Sequence, residues 1–309
     1  MTGQESLFTF SMHKNLRPFF YYYGGKFTLS KRLPRPEHQT LIEPFAGSAG
    51  YSLHYHWLRV RLYDIDPVVI GMWNFLISAS ESEILRLPLV FDSVDDLVGV
   101  PEEAKWLIGF WLNKGSAIPK KNPSKWMREG DRPNTFWGDA VRHRLAQQVA
   151  LIRHWEAEVM SYEDVPIATA TWMIDAPYSN QAGSYYRYSS IDFTQLREWT
   201  KALPGQKIVC ENEGADWLPF RPLHKQESSR GRVSHEVYWH EREDAGKPLC
   251  PDCGSPQTTI YPMDNEGSVT LYCDDCKREE HYFPQVKGRA RPDLDPHIDY
   301  PERFKEGPI

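Results

Sequence analysis

Leu41-Ile42-Glu43-Pro44-Phe45-Ala46-Gly47-Ser48-Ala49-Gly50 is a short apolar run that breaks into a turn of small residues. Such a run reads as a buried strand, and the sequence from Tyr51 reads as the start of a helix. A small-residue turn between the two lets a ligand approach the backbone and presents N–H groups at the helix start, as nucleotide-binding α/β folds require. Tight strand-to-helix turns need glycine in any α/β protein, so the turn alone does not specify a ligand. Asp64 follows Gly47 by seventeen residues, at the end of a second apolar run over 60–63. A carboxylate there can accept hydrogen bonds from both hydroxyls of a ribose. Together the turn and Asp64 point to a nucleoside cofactor.

Outward from this pair, Thr40–Glu43, 60–63, Ala170–Ile174 and 207–211 read as buried strands, and 233–240 as a late one. Helical periodicity marks 68–78, 102–112 and 140–155, the last through Val141, Leu145, Val149, Ile152 and Trp155. Strands alternating with helices predict an α/β fold with a largely parallel sheet. Residues 115–138 are rich in Pro, Lys, Asn and Trp and break this rhythm, which predicts an insertion outside the sheet. The chain therefore divides into a cofactor-binding part over 1–112, an insertion over 113–138, a catalytic part over 139–246, a small domain over 247–283 and a polar, Pro-rich tail over 284–309.

A second constellation, Trp172-Met173-Ile174-Asp175-Ala176-Pro177-Tyr178, is again a strand ending in a polar turn. It brings a carboxylate, a backbone carbonyl and an aromatic ring to the carboxyl edge of the sheet, where ligands bind in this architecture. That set suits an exocyclic amine on a base: acceptors hold its hydrogens while a flat side chain stacks on the extruded ring. A β-turn with an exposed tyrosine is the plainer alternative. Tyr21-Tyr22-Tyr23-Gly24-Gly25-Lys26 could close over a cofactor with the lysine facing its carboxylate, or could be a hairpin.

The 309 residues are 40% hydrophobic and carry 36 Lys plus Arg against 42 Asp plus Glu, a net charge of -6, so any nucleic-acid surface must be local. Residues 114–144 supply one, with eight basic side chains (Lys114, Lys120, Lys121, Lys125, Arg128, Arg132, Arg142, Arg144) against three acids (Glu129, Asp131, Asp139). No run approaches the roughly 20 apolar residues of a membrane span, and the N-terminal MTGQESLFTFSMHK lacks a signal-peptide core, so no membrane partner and a cytoplasmic location are expected. Cys250-Pro-Asp-Cys253 and Cys273-Asp-Asp-Cys276 are separated by nineteen residues, the spacing of a four-thiolate zinc ribbon. Disulfides are the alternative, disfavoured in a reducing compartment.

The order of motifs is Tyr-Gly-Gly-Lys, Glu-Pro-Phe-Ala-Gly, Tyr-Asp-Ile-Asp, a basic insertion, and then Asp-x-Pro-Tyr. It resembles the Dam-type, alpha-group N6-adenine DNA methyltransferases over about residues 20–239. The resemblance implies a Rossmann-like seven-stranded methyltransferase sheet with an inserted DNA-recognition region, here followed by the zinc ribbon. It implies S-adenosylmethionine as cofactor and, as substrate, an adenine flipped from double-stranded DNA at a specific short sequence, in a bacterial or phage-infected cell, by a monomer or weak dimer. By the same resemblance, Tyr22, Lys26, Glu43, Phe45 and Gly47 lie along the cofactor, Asp64 holds its ribose and Asp164 its adenine. Asp175, the carbonyl of Ala176, Pro177 and Tyr178 hold the target amine and base. In the insertion, Lys114, Lys120, Lys121 and Lys125 suit phosphates, and Asn122, Arg128, Arg132 and Asn134 can reach base edges. Arg230 and Arg232 resemble the family's late basic turn.

The sequence departs from the family in several places. Ala49 stands where a second glycine is usual, Tyr22 where Trp is commoner, Glu163 where Gly precedes the acid, and Ala176 where the tetrad has proline. Two other readings remain open. One is methyl transfer to another planar amine, on RNA or a glutamine side chain. The other is an inactive zinc-ribbon DNA-binding protein.

Overall fold

The computed structural model describes residues 16–113, 115–129, 135–227, 233–242, 258–262, 269–273, 277 and 279–282. Seven strands form the main sheet: β1 (Thr40–Glu43), β2 (Arg59–Asp64), β3 (Glu156–Val159), β4 (Ala170–Ile174), β5 (Gly205–Asn212), β6 (Arg221–Glu227) and β7 (Val233–Glu241). Their spatial order is β3-β2-β1-β4-β5-β7-β6. The pairs from β3 to β5 are parallel, while β7 runs antiparallel to both β5 and β6. This mixed sheet with helices packed on it fits a Rossmann-like methyltransferase fold.

Alternation along the strands divides the core between the two faces of the sheet. Leu41, Leu62, Met173 and Ile208 join the larger cluster, with Phe19, Phe20, Trp73 and Trp111. Ile42, Tyr63, Trp172, Ile174 and Val209 join the smaller one, with Tyr162 and Leu196. Helix α1 (Pro67–Ser78) follows β2 directly. Its start is fixed by Asp66, whose side chain accepts from Val68 N at 2.9 Å, and by Pro67, which needs no donor partner in the first turn. The remaining helices are α2 (Glu81–Leu85), α3 (Glu102–Trp111), α4 (Lys125–Glu129), α5 (Asp139–Val149) and α6 (Phe193–Ala202).

The structure corrects several expectations. The helix expected from Tyr51 is a short 3-10 turn over Ser52–Tyr55, because the chain must turn back into β2 at Arg59. The helix expected to run to 155 stops at Val149 and tightens into a 3-10 turn over Ala150–Ile152. Trp155 is then tied by its indole N–H to the His56 carbonyl at 3.0 Å. Among the described residues of 115–138 no strand occurs, and the segment is tied to its neighbours in the fold. Lys120 N donates to Gly109 O at 3.1 Å, Val94 N donates to Lys121 O at 2.9 Å, and the Trp137 indole donates to Pro88 O at 2.7 Å.

At least three of the eight basic side chains of the segment are engaged in the fold. Lys121 pairs with Asp95 at 2.7 Å, Arg142 donates to Leu87 O at 3.0 Å, and Arg144 donates to Pro18 O at 2.9 Å. Lys114, Arg132, Asn134, Arg230 and Arg232 lie outside the described residues. So do Cys250, Cys253 and Cys276.

Strands β8 (Thr258–Pro262), β9 (Val269–Cys273) and β10 (Glu279–Tyr282) form a separate antiparallel sheet in the order β10-β9-β8. Cys273 is buried at the end of β9. Lys277 N donates to Cys273 O at 2.9 Å, and Lys277 has φ +62°. Among the described residues no cluster of three or more His, Cys, Asp or Glu forms a metal site, and no helix is long and apolar enough to cross a membrane.

Candidate active site

A cleft enclosing about 1060 Å³ of empty space, part of it open to solvent, lies at the carboxyl edge of β1, β2 and β4. Its floor is the turn after β1. Gly47 takes φ +44°, and a Cβ there would sit 3.2 Å from Tyr22 Cδ1, so glycine both permits the turn and lets Tyr22 close on it. Ala49 takes φ +48° in the same turn, a conformation costly for any residue with a Cβ, at the position where the resemblance has glycine. The missing glycine has therefore not shifted the loop into an ordinary conformation.

Asp64 ties this turn to the next one. Its Oδ2 accepts from Gly47 N at 3.0 Å and its Oδ1 from Asp66 N at 2.9 Å. A carboxylate oxygen has a second lone pair, so both oxygens retain acceptor capacity toward the cleft they line. Burial raises the Asp64 pKa to about 6 against these two bonds. Glu43, at the end of β1, also lines the cleft, but its Oε1 accepts from Ser52 N at 2.8 Å and from Ser52 Oγ at 2.5 Å. It thus holds the start of the 3-10 turn, and burial pushes its carboxyl up to about 8 despite the Ser52 bonds.

Aromatic side chains make the walls. Tyr22 lies 5.7 Å from Phe110 and 5.9 Å from Tyr186 between ring centroids, and Phe45 lies 5.3 Å from Tyr162. The segment after the second constellation folds back over this wall. The Tyr186 hydroxyl donates to Tyr23 O at 3.1 Å, and Arg187 pairs with Asp66 at 3.3 Å. Ser161, Tyr162 and Glu163 line the cleft, whereas Asp164, exposed at the end of its turn, does not.

Asp175 leaves β4 at the deep end. Its Oδ1 lies 3.1 Å from Lys26 Nζ, and the two side chains are 19% and 7% exposed. The two groups form a close ion pair. Lys26 Nζ also donates to Gly24 O at 2.7 Å and sits 4.7 Å from the centroid of the Tyr178 ring. Burial works against the ammonium, but Asp175 and Glu236 outweigh it and its pKa is raised. Burial likewise pushes Asp175 up to about 6, opposed by Lys26 and helped by Glu236 and Glu211. The Lys26 nitrogen thus occupies the space between Asp175 and Tyr178.

The fold thus gathers Tyr22, Lys26, Glu43, Phe45, Gly47 and Asp64 with Asp175 and Pro177 around one cleft. Ala176 is buried beside it, and Tyr178 stands behind Lys26.

The chain has relatives among characterised proteins. Two proteins named DNA adenine methylase, from the Classical Ogawa and El Tor Inaba strains of Vibrio cholerae serotype O1, are each 37% identical to it over 65 residues. That stretch is 20% of this chain and 24% of each relative, so the chain spans about a quarter of the length of the curated relatives it matches. No family model matches the chain.

Two carboxylates at the site carry no motif. Glu211, at the end of β5, accepts from Ser179 N at 3.1 Å and from the Trp217 indole at 3.1 Å, which fixes the loop just after Tyr178. Glu236, on β7, accepts from the Tyr178 hydroxyl at 2.5 Å. The readable signal for Glu211 was a lone acid ending an apolar run. Glu236 had none, because a reading that looks for ligand groups at the ends of parallel strands passes over the beginning of an antiparallel one.

Proposed function

We propose that this protein transfers a methyl group from S-adenosylmethionine to the N6 amine of an adenine flipped out of duplex DNA, at a specific short sequence. The observation that carries the reading is the nitrogen seat beside the cleft, where a buried carboxylate, a backbone carbonyl and an aromatic face converge on one ammonium. An exocyclic amine needs the same partners, namely acceptors for its hydrogens and a flat surface for the ring that bears it. The partial likeness to DNA adenine methylases supports adenine in DNA as the bearer of that amine.

The lining of the cleft fits the cofactor in chemistry. Asp64 would accept from the ribose hydroxyls, and Gly47 leaves backbone close to the ligand. Tyr22 and Phe45 offer aromatic faces, and Lys26 suits a carboxylate. Asp164 would need to turn inward to meet the adenine, and Glu163 is nearer. S-adenosylmethionine, when bound, supplies an electrophilic methyl on a sulfonium sulfur. Asp175 and the Ala176 carbonyl would hold the amine hydrogens, so that the nitrogen lone pair is directed at the reacting carbon rather than into the ring. Lys26 must yield its place for that to happen.

Lys120, Lys125 and Arg128, together with Lys114, Lys121, Arg132 and Asn134, would contact the duplex, and Arg230 and Arg232 the strand beside the flipped base. Cys250, Cys253, Cys273 and Cys276 would bind one zinc ion, which four thiolates close to substrate, leaving it a structural role.

Offering the protein labelled S-adenosylmethionine with duplex DNA, RNA and an unrelated protein together tests the reading. Label is expected in DNA. Label confined to RNA or protein would replace the substrate, and label nowhere would remove the activity.

A further inference from the structure

The carboxyl edge of the sheet holds a carboxylate that no motif announces. Glu236 lies near the start of β7, opposite Asn212 in the register with β5. Because β7 runs antiparallel, its first residues arrive where the parallel strands end, and Glu236 reaches the loop after β4. The Tyr178 hydroxyl donates to Glu236 Oε2 at 2.5 Å, and the Ser234 hydroxyl donates to Oε1 at 3.1 Å. The Asn212 amide in turn donates to Ser234 Oγ at 3.0 Å. This chain of bonds begins on two paired strands and ends on the phenol of a loop residue. The ring of that phenol faces the nitrogen seat.

We propose that Glu236 is a positioning residue for methyl transfer: through the Tyr178 hydroxyl it fixes the plane of the ring and makes the ring a better partner for a positively charged nitrogen. The inference rests on the reading of the cleft as an adenine methyltransferase centre. A phenol bonded to a carboxylate makes a charge-assisted hydrogen bond, which is short and strong and leaves the ring more electron-rich. An amine nitrogen that has accepted a methyl group is positively charged until one of its protons departs. An electron-rich face attracts that charge, while it does little more for the neutral amine than any aromatic ring would. Glu236 therefore acts on the rate and not on cofactor affinity. A bond that merely secures β7 to the loop would instead affect stability and leave turnover alone.

The test is a double-mutant cycle on the full chain. Tyr178→Phe keeps the ring and removes the hydroxyl, Glu236→Ala removes the carboxylate, and Glu236→Gln keeps a hydrogen-bonding partner without charge. Turnover and KM are measured on duplex DNA, cofactor affinity by calorimetry and stability by thermal melting. We expect Glu236→Ala to lower kcat by about tenfold or more, as a misplaced contact at a reacting centre does, with cofactor affinity within about twofold. Added to Tyr178→Phe, Glu236→Ala should cost no more than about threefold further, because the two groups act as one unit. Glu236→Gln should melt like the wild type with kcat between that of the wild type and Glu236→Ala; it carries the test alone if Glu236→Ala does not fold. Wild-type kcat in Glu236→Gln and Glu236→Ala, or losses that multiply in the double variant, would overturn the role. A wild-type protein that methylates DNA while the cycle fails overturns the inference alone. A wild type that transfers no methyl overturns the functional reading, and this inference with it.

Discussion

The two edges of the main sheet bury charge in opposite ways. At the amino edge, Glu37 and Arg242 pair at 2.7 Å with exposures of 3% and 7%. Beside them the Gln206 side chain receives the Thr171 hydroxyl at 2.7 Å and the Glu37 N–H at 2.9 Å, and donates to Arg35 O at 2.9 Å. Opposite charges and complementary dipoles meet there. At the carboxyl edge, Asp175 and Glu236 face the Lys26 ammonium, Glu211 acts on Asp175, Glu43 and Asp64 line the same cleft, and burial raises the pKa values of Asp175, Glu211, Glu43 and Asp64. A balanced set holds the fold together. An unbalanced set of like charges costs stability and is kept where a ligand is to complete it.

The sharpest way to separate the edges is to remove one acid from the unbalanced side. Asp175→Ala should lower methyl transfer by about 10² to 10³ or more, since it removes a charge-assisted acceptor at the reacting centre, while the protein stays folded. Activity near wild type in a folded Asp175→Ala would take Asp175 out of the mechanism. The matching change at the amino edge is Arg242→Met, which removes the guanidinium paired with buried Glu37. It should destabilise the protein by about 3 to 5 kcal/mol in denaturant titrations and leave kcat within a few-fold at a permissive temperature. A large loss of kcat with little loss of stability would reverse the roles given to the two edges.

A pH series sharpens the comparison further. Asp64 and Asp175 have pKa values near 6 and Glu43 near 8 in the fold, raised by burial, whereas carboxylates of the unfolded chain titrate near 4. The folded state thus binds protons more tightly, so these groups make stability fall as pH rises, over about pH 4 to 8. On the proposed mechanism the ionised Asp175 holds the amine, so activity should instead rise with pH through about 6. Thermal melts and kcat/KM measured from about pH 5 to 8 should move in opposite directions. Parallel profiles would mean that these carboxylates are not held in raised states. The smallest effect concerns the turn after β1. Ala49→Gly relieves the positive φ and should stabilise the fold by up to about 1 kcal/mol in equilibrium unfolding, part of the gain being offset by the greater freedom of glycine in the unfolded chain. A clear destabilisation would argue against that backbone conformation.

The strands that could be read from the sequence, β1, β2, β4, β5 and β7, all lie inside the sheet with a neighbour on each side. β1 and β4 lie mid-sheet around the apolar runs Leu41-Ile42 and Trp172-Met173-Ile174, and their bounds came out as they stand. β3 and β6 are the two edge strands, and Glu-Ala-Glu-Val and Arg-Pro-Leu-His-Lys-Gln-Glu carry no apolar run to betray them. At the site, Asp64 and Asp175 were legible because each ends an apolar strand. Glu236 was not, because strand direction is a property of the assembled sheet. Arg142 and Arg144 were counted into a basic surface by composition, yet their guanidinium groups bind carbonyls of 87 and 18. Net charge along a segment does not reveal which charges the fold has already engaged.

The central claim is that the carboxyl edge presents an adenine amine for methylation. It is tested most directly by the product. Duplex DNA incubated with the purified protein and S-adenosylmethionine, digested to nucleosides and analysed by mass spectrometry, should contain N6-methyladenine. Methylation only at a cytosine, or no methylated nucleoside from a folded protein that binds the cofactor, would contradict the account.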